Sequence, residues 1–259
     1  MNLLKNKIGL VMGIANEESI AWGIARSLYS HGAKLFLSYQ DPILKKRIEP
    51  LSNHVNSINS FLCNVKDTKS IQQMFTKIKQ KVGYIDFLVH SIAYSSKSEL
   101  SRKTIESSRE NFLETMDISC FSFLLVTKYA SKIMNKNGSI ITLSYHGSNK
   151  VIANYNIMGL AKAALETSVK YLASDLGEYG IRVNCLSPGP VRTLASSGIK
   201  NFKRILDFSR NNAPIGRNIT IDDIGNAALY FVSDLSSSVT GEIHYIDGGY
   251  NTLGSPKSF

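Results

Sequence analysis

The sequence has few cysteines, and its cysteines and histidines lack the spacings that build disulfide frames or metal sites. Cys63, Cys120 and Cys185 are odd in number and far apart, with no CxxC pair, and the five histidines show no HExxH or HxH spacing. This pattern is typical of reduced, mostly buried thiols in a cytosolic protein, and it predicts no bound metal.

Long hydrophobic runs are absent as well. The start, MNLLKNKIGLVMG, lacks the apolar core of a signal peptide, and no later stretch is long and uncharged enough to span a bilayer. We therefore expect a soluble, cytoplasmic protein with no membrane insertion. The 259 residues suffice for one sizeable core, so we expect a single domain over residues 1–259.

Acidic residues are outnumbered by basic ones, which gives a net charge of +10. Such an excess is compatible with nucleic acid, an anionic membrane or an acidic partner. No Arg/Lys block and no alternation of basic with aromatic residues occurs, so nucleic-acid binding is disfavoured. A solvated, lysine- and asparagine-rich surface is the simplest interpretation.

Short apolar runs alternate with longer segments of helical periodicity. The runs predicted as strands are 7–13, 33–39, 57–63, 85–91, 139–145, 181–187 and 242–248, and the helices are 19–32, 69–83, 109–134 and 154–179. Gly32, Gly83 and Gly180 stand where C-cap glycines belong. The alternation predicts an α/β fold of Rossmann type, a doubly wound parallel sheet of seven strands with ligands at their carboxyl ends.

The segment GIANEESIAWGIA (13–25), after the first predicted strand, is suited to a pyrophosphate although it lacks GxGxxG. Gly13 allows close backbone approach, Ser19 offers a hydroxyl, and the helix opening near Ile20 offers free N–H groups and a positive dipole end. Taken alone, a glycine here is more often part of a tight turn.

The next strand ends add compatible chemistry. Gln40 can bond to ribose hydroxyls and Asp41 would repel a 2′-phosphate, which favours NADH over NADPH, although the basic residues 45–47 lie close by. Gln40 could instead simply begin a turn. Asn64 and Val65 could hold an adenine, and Ile92 is small enough for a cofactor to lie against the backbone. Four successive strand ends of this kind predict a dinucleotide site.

The stretch SYHGSNKVIANYNIMGLAKAALE contains the candidate catalytic residues Tyr145, Tyr155 and Lys162. Lys162 follows Tyr155 by seven residues, which is two helical turns with about 20° of drift, so both side chains leave one helix face. Met158 stands where a commoner arrangement has its tyrosine, and a thioether cannot donate a proton. The alternative is a surface pair in which the lysine covers a ring.

The segments GIANEESIAWGIA, SYHG, NYNIMGLAKAALE and SPGPVRTLASSGI resemble the short-chain dehydrogenase/reductase superfamily. More narrowly, they resemble the bacterial enoyl-acyl carrier protein reductases of type II fatty acid synthesis, from Gly9 to about Tyr250. In that family six residues separate the tyrosine and the lysine, as between Tyr155 and Lys162. The usual superfamily gap is three, with tyrosine at the position of Met158.

The resemblance implies hydride transfer from NADH to C3 of a trans-2-enoyl chain on acyl carrier protein. Lys162 would bond to the nicotinamide ribose and Tyr155 to the thioester carbonyl, where an enolate develops. Tyr145 matches a second active-site tyrosine, and we expect it to position the substrate. The family is usually tetrameric, so we expect a homotetramer.

The loop SPGPVRTLA and the segment after it complete the predicted site. The cofactor residues expected there are Val191, Arg192, Thr193, Leu194 and Ala195, and the substrate residues are Ser95, Tyr155, Ile199 and Phe202. A lid over about 192–218 would contain a helix with an apolar face for the fatty chain. Its basic residues Lys200, Lys203 and Arg204 could meet the acidic carrier protein or could simply be solvated.

Two rival functions stay open at this point. A β-ketoacyl or other carbonyl reductase of the same superfamily would need tyrosine at position 158, and Met158 argues against it. A non-catalytic nucleotide-binding interaction protein would use the basic surface instead. Nothing in the sequence requires the second alternative, because every catalytic position carries a chemically competent residue.

Overall fold

The computed structural model describes residues 2–194, 196 and 201–257. The strands are β1 (Ile8–Met12), β2 (Lys34–Tyr39), β3 (Asn59–Leu62), β4 (Ile85–His90), β5 (Met134–Leu143), β6 (Arg182–Pro188) and β7 (Ile243–Ile246). The helices are α1 (Ile20–Ser30), α2 (Lys45–His54), α3 (Thr68–Val82), α4 (Lys97–Leu100), α5 (Arg109–Met116), α6 (Ser122–Ser131), α7 (Asn156–Gly177), α8 (Phe202–Asn212) and α9 (Ile221–Val232).

The seven strands form one parallel sheet in the order β3-β2-β1-β4-β5-β6-β7. One apolar core includes residues of α1 and α9, and a second includes residues of α3, α6 and α7. Helices therefore flank the sheet, which confirms the predicted fold class. The strand order reverses between β1 and β4, and in such sheets ligands bind at the carboxyl ends beside the reversal.

Helices α1 and α9 touch through a glycine. A Cβ atom at Gly23 would lie 2.5 Å from the carbonyl oxygen of Ile221, closer than real Cβ contacts come. Gly23 therefore lies within α1 and permits the two helices to pack closely. The predicted C-cap glycines do lie past their helices in the left-handed region, with φ of 94° at Gly32, 81° at Gly83 and 70° at Gly180.

The prediction of one helix over 109–134 is wrong. Helix α5 ends at Met116, a π-helical turn spans Asp117–Phe121, and α6 follows. The last predicted residue, Met134, belongs instead to β5, where it pairs with Ile85 before a register shift. Residues 135–138 (NKNG) are poor strand formers, which explains why the sequence pattern placed the start of β5 too late.

The remaining ends of the strands and helices predicted above lie within two residues of the observed ones, but α2, α4 and α9 were not predicted. Helix α2 contains Pro50 and buries only Ile48, so its pattern resembles a loop. Helix α9 begins with a capping box in which Thr220 and Asp223 exchange side-chain to backbone hydrogen bonds. That motif is readable in sequence and would have located the helix.

Candidate active site

A cavity of about 850 Å³ opens at the carboxyl ends of β1 to β6. The predicted site residues on its wall are Gly13, Ser19, Ile20, Gln40, Val65, Ile92, Ser95, Tyr145, Tyr155, Lys162, Val191, Thr193, Leu194 and Phe202. The structure thus brings together residues that are as far as 189 positions apart, from Gly13 to Phe202.

Other predicted residues lie elsewhere. Asn64 is exposed and does not line the cavity; its amide oxygen accepts a hydrogen bond from the Lys66 backbone N–H at 3.1 Å. Arg192 lines a neighbouring pocket of about 350 Å³ instead. Ala195 and Ile199, with Lys200 of the predicted basic surface, lie outside the described residues.

The sequence interpretation also missed residues of the wall. Ser38, Tyr39, Cys63 and Met158 all line the cavity. Cys63 is the first residue after β3, and it lies on the cavity wall where the sequence predicted its neighbour Asn64. Burial raises the pKa of the Cys63 thiol to about 11, so the thiol is neutral and contributes an apolar contact.

The nucleotide end of the cavity is defined here as the ends of β1, β2 and β3 with the start of α1. Gly13 has φ +90°, and a Cβ atom there would lie 2.0 Å from the Ser91 carbonyl oxygen, so only glycine fits between the two strand ends. The Ser19 hydroxyl donates to the Asn16 carbonyl oxygen at 2.6 Å and does not cap α1. With no acidic residue in its first turn, α1 presents a positive dipole end suited to phosphate oxygens.

Lys162 lies on α7 at the other end of the cavity and is 5% exposed. Its Nζ donates a hydrogen bond to the Leu143 carbonyl oxygen at 2.7 Å. Burial lowers the pKa of Lys162 to about 8, and Cys185, Cys120 and Glu166 oppose that shift. The side chain is therefore mostly an ammonium at neutral pH, and its burial excludes the surface-pair alternative.

Tyr155 precedes α7 as its N-cap residue and does not lie within the helix as expected. The asparagines on either side have positive φ, 61° at Asn154 and 35° at Asn156, which places a turn where the periodicity predicted a helix. The Tyr155 ring packs edge-on against Tyr145 with 4.9 Å between centroids. Both phenols line the same cavity as Lys162.

The two phenols keep their protons at neutral pH. Burial, with smaller contributions from Tyr145 and Glu166, raises the pKa of Tyr155 well above its usual value of 10. Burial and Tyr250 raise the pKa of Tyr145 to about 12. Each phenol is therefore a neutral hydrogen-bond donor, which suits an oxygen atom that gains negative charge.

Residues 2–194, 196 and 201–257 offer neither a metal-binding cluster nor a membrane-spanning helix. They contain no cluster of three His, Cys, Asp or Glu side chains arranged to hold a metal ion. None of their helices combines the length and apolar character that crossing a bilayer requires.

Comparison with known proteins shows the family to which this sequence and fold belong. Residues 13–251 match the family described as Enoyl-(Acyl carrier protein) reductase. The chain belongs to this enoyl-acyl carrier protein reductase family. It is 51% identical to enoyl-[acyl-carrier-protein] reductase [NADH] 1 of Rhizobium meliloti (strain 1021), over 97% of this chain and 93% of that one.

Solved structures of the family are also similar. FabI from Candidatus Liberibacter asiaticus has a TM-score of 0.97 at 49% identity, covering 99% of this chain and 100% of that one. The Anaplasma phagocytophilum reductase, in complex with NAD, has a TM-score of 0.94 at 43% identity, covering 99% and 96%. The Bacillus cereus reductase, with NADP+ and indole naphthyridinone, has a TM-score of 0.97 at 43% identity, covering 98% and 100%. The predicted family is confirmed.

Proposed function

We propose that this protein is an NADH-dependent reductase that reduces a trans-2-enoyl chain on acyl carrier protein, the last reductive step of fatty acid elongation. The observation that carries the proposal is that Tyr155 and Lys162 share the wall of a dinucleotide-sized cavity with Met158. Met158 is buried at the position where a carbonyl reductase has its acid. Family membership supports this function and neither rival.

The residues of the cavity fit a nicotinamide dinucleotide. The start of α1 with Gly13 suits the pyrophosphate, and the neutral Gln40 suits an unphosphorylated ribose. Val191 and Thr193 lie on the wall for the nicotinamide, and the Lys162 ammonium has N–H donors beyond its bond to Leu143. When bound, NADH supplies the hydride that attacks C3 of the enoyl chain.

Tyr155 stabilises the charge that develops on the substrate during hydride transfer. Its phenol donates a hydrogen bond to the thioester carbonyl oxygen, on which negative charge collects as an enolate. Because the donor is desolvated and its pKa is raised by burial, it stabilises that oxygen without giving up its proton early. The Lys162 ammonium adds positive charge nearby, and Tyr145 positions the acceptor by packing on Tyr155. Protonation at C2 completes the reduction.

Helix α8 supports a fatty acceptor and an acidic partner. Phe202 and Ile205 line the cavity and provide an apolar wall, whereas Lys203 and Arg204 are exposed on the same helix. Acidic acyl carrier protein would meet the exposed face while the acyl chain enters beside the apolar one.

A homotetramer and a cytoplasmic location stay predictions. Exposed apolar residues on α5, the π-helical turn and α7 support self-association: Phe112, Leu113, Phe121, Leu160 and Tyr171.

A turnover assay with two cofactors and two acceptors tests the function. Purified protein should oxidise NADH faster than NADPH with a trans-2-enoyl thioester, and should leave a 3-ketoacyl thioester unreduced. Reduction of the ketoacyl substrate alone would restore the carbonyl reductase. Tight NADH binding without turnover of enoyl-carrier-protein or enoyl-CoA would favour the non-catalytic alternative.

A further inference from the structure

Helix α7 carries a carboxylate that the reaction above does not use. Glu166 follows Lys162 by one helical turn, so both side chains leave the same face of α7. Its Oε1 atom accepts two hydrogen bonds from outside the helix, one from the Ser144 hydroxyl and one from the Ser148 hydroxyl, each at 2.5 Å. A single carboxylate oxygen therefore ties two points of another segment to α7.

That segment, residues 144–148, carries Tyr145 and lies against Tyr155. Ser144 and Ser148 stand at its two ends, so Glu166 holds both ends at once. A Cβ atom at Gly147 would lie 2.4 Å from Cδ1 of Tyr155, which shows that the backbone of the segment forms a wall for that ring. Movement of the segment would therefore move both tyrosine rings relative to the cavity.

The charge of Glu166 acts in the same region. It raises the pKa of Lys162, against the larger effect of burial, and it also raises the pKa of Tyr155. The other groups that influence Lys162 are the thiols of Cys185 and Cys120. Burial, with a smaller contribution from Lys162, lowers the pKa of His90 to about 3, so His90 is neutral and supplies no countercharge. Glu166 is thus the carboxylate among the groups acting on the Lys162 ammonium.

We propose, on the basis of the reductase function above, that Glu166 is a positioning residue: it fixes the segment 144–148 through Ser144 and Ser148, and its negative charge stabilises the Lys162 ammonium. The two parts can be separated by substitution. Ser144→Ala with Ser148→Ala removes the hydrogen bonds and keeps the charge. Glu166→Gln keeps an acceptor oxygen and removes the charge.

The first arm measures steady-state turnover of a trans-2-enoyl thioester and NADH binding by fluorescence titration. The double serine variant should lose about tenfold in kcat, while the Kd for NADH changes less than about twofold, because the tyrosines and not the cofactor site are displaced. Ser148→Thr keeps a hydroxyl and should retain activity. An unchanged kcat, or an equal loss in NADH affinity, would overturn the hydrogen-bonding part.

The second arm needs no turnover. The pH midpoint at which NADH affinity falls, assigned to Lys162, should move to lower pH in Glu166→Gln. Asp175→Asn, which neutralises an exposed carboxylate on the same helix, should leave that midpoint in place. An unmoved midpoint in Glu166→Gln would overturn the charge part.

The two arms keep this proposal distinct from the reductase function. Wild-type protein that turns over no enoyl thioester contradicts the function, and the binding arm then still decides the role of Glu166. If the wild-type protein turns over the enoyl thioester and the variants behave as it does, only the proposed role of Glu166 is contradicted. Thermal melts of each variant identify a folding defect, and the single variant Ser148→Ala, at a partly buried position, replaces the double variant if the latter unfolds.

Discussion

The two ends of the cavity lie at the same edge of one sheet but are built by different means. The nucleotide end consists of backbone and small side chains such as Gly13, Ser38 and Cys63. The catalytic end, formed by the ends of β4 and β5 with α7, is held by hydrogen bonds of polar side chains. Lys162 binds the Leu143 carbonyl, and Ser119 both donates to the Tyr94 carbonyl at 3.0 Å and accepts from the Tyr94 N–H at 2.9 Å.

This difference teaches what each end depends on. The nucleotide end requires empty space close to the backbone, so we expect substitutions that add atoms there to weaken cofactor binding. The catalytic end requires particular buried polar groups and their charges, so we expect substitutions that remove those groups to lower activity. Substitutions at each end of the cavity test this division.

The largest effect is expected from Lys162→Met. Methionine has a similar volume but removes the ammonium, so both the anchoring of the cofactor and the positive charge near the enolate are lost. We expect kcat/KM with NADH to fall about 10³-fold, measured by NADH oxidation with a trans-2-enoyl thioester.

The matched control is Lys170→Met, which removes an exposed lysine on the same helix. It should leave kcat/KM within about twofold, because surface charges contribute little. Equal losses in the two variants would mean that the catalytic end does not depend on the buried ammonium.

The two tyrosines should differ when each is changed to phenylalanine. Tyr155→Phe removes the donor to the carbonyl oxygen and should lower kcat about 10²-fold with little change in the Kd for NADH. Tyr145→Phe keeps the ring that packs on Tyr155 and should lower kcat less than about tenfold. A larger loss in Tyr145→Phe would reverse the proposed roles.

The same division explains what could be predicted from sequence. The alternation of strands and helices along the chain and the Tyr155 to Lys162 spacing are local patterns, and they located both ends of the cavity. The sequence predicted Asn64 on the cavity wall, where the structure has the preceding residue, Cys63. The amide oxygen of Asn64 instead accepts a hydrogen bond from the Lys66 backbone N–H within the same turn. The turn at Tyr155 depends on positive φ at two asparagines, which hydrophobic periodicity does not report.

Glu166 could not be found from sequence for a different reason. Its partners, Ser144 and Ser148, lie 22 and 18 positions away and reach it only because the segment 144–148 folds back onto α7. Serine and glutamate are common on surfaces, so their types give no signal. Long-range hydrogen bonds of this kind are a product of the fold rather than of any local pattern.

At the nucleotide end, Gly13→Ala tests the effect of a single added methyl group. The Cβ atom would collide with the Ser91 carbonyl oxygen and would hold alanine at a positive φ. We expect the free energy of unfolding to fall by about 2 kcal/mol and the Kd for NADH to rise about tenfold, measured by denaturation and fluorescence titration.

Gly177→Ala provides the control, since Gly177 ends α7 and a Cβ atom there would meet nothing within 4 Å. It should leave NADH binding unchanged and stabilise the helix slightly. Normal NADH affinity in Gly13→Ala would show that the nucleotide end tolerates added atoms after all.

The smallest effect is a pH dependence that separates cofactor binding from stability. The pKa of Lys162 is about 8 in the folded protein and 10.5 without burial, so between these values the unfolded chain binds more protons. The contribution of this group to stability therefore rises with pH from about 8 to 10.5. In the proposed function the ammonium anchors the cofactor, so NADH affinity should fall about twofold between pH 7 and pH 8. Titration of NADH binding between pH 7 and 8 should show this fall in the wild type, and thermal melts between pH 8 and 10.5 should show the rise in stability. The variant Lys162→Met should lack both changes, because it has no ammonium to lose.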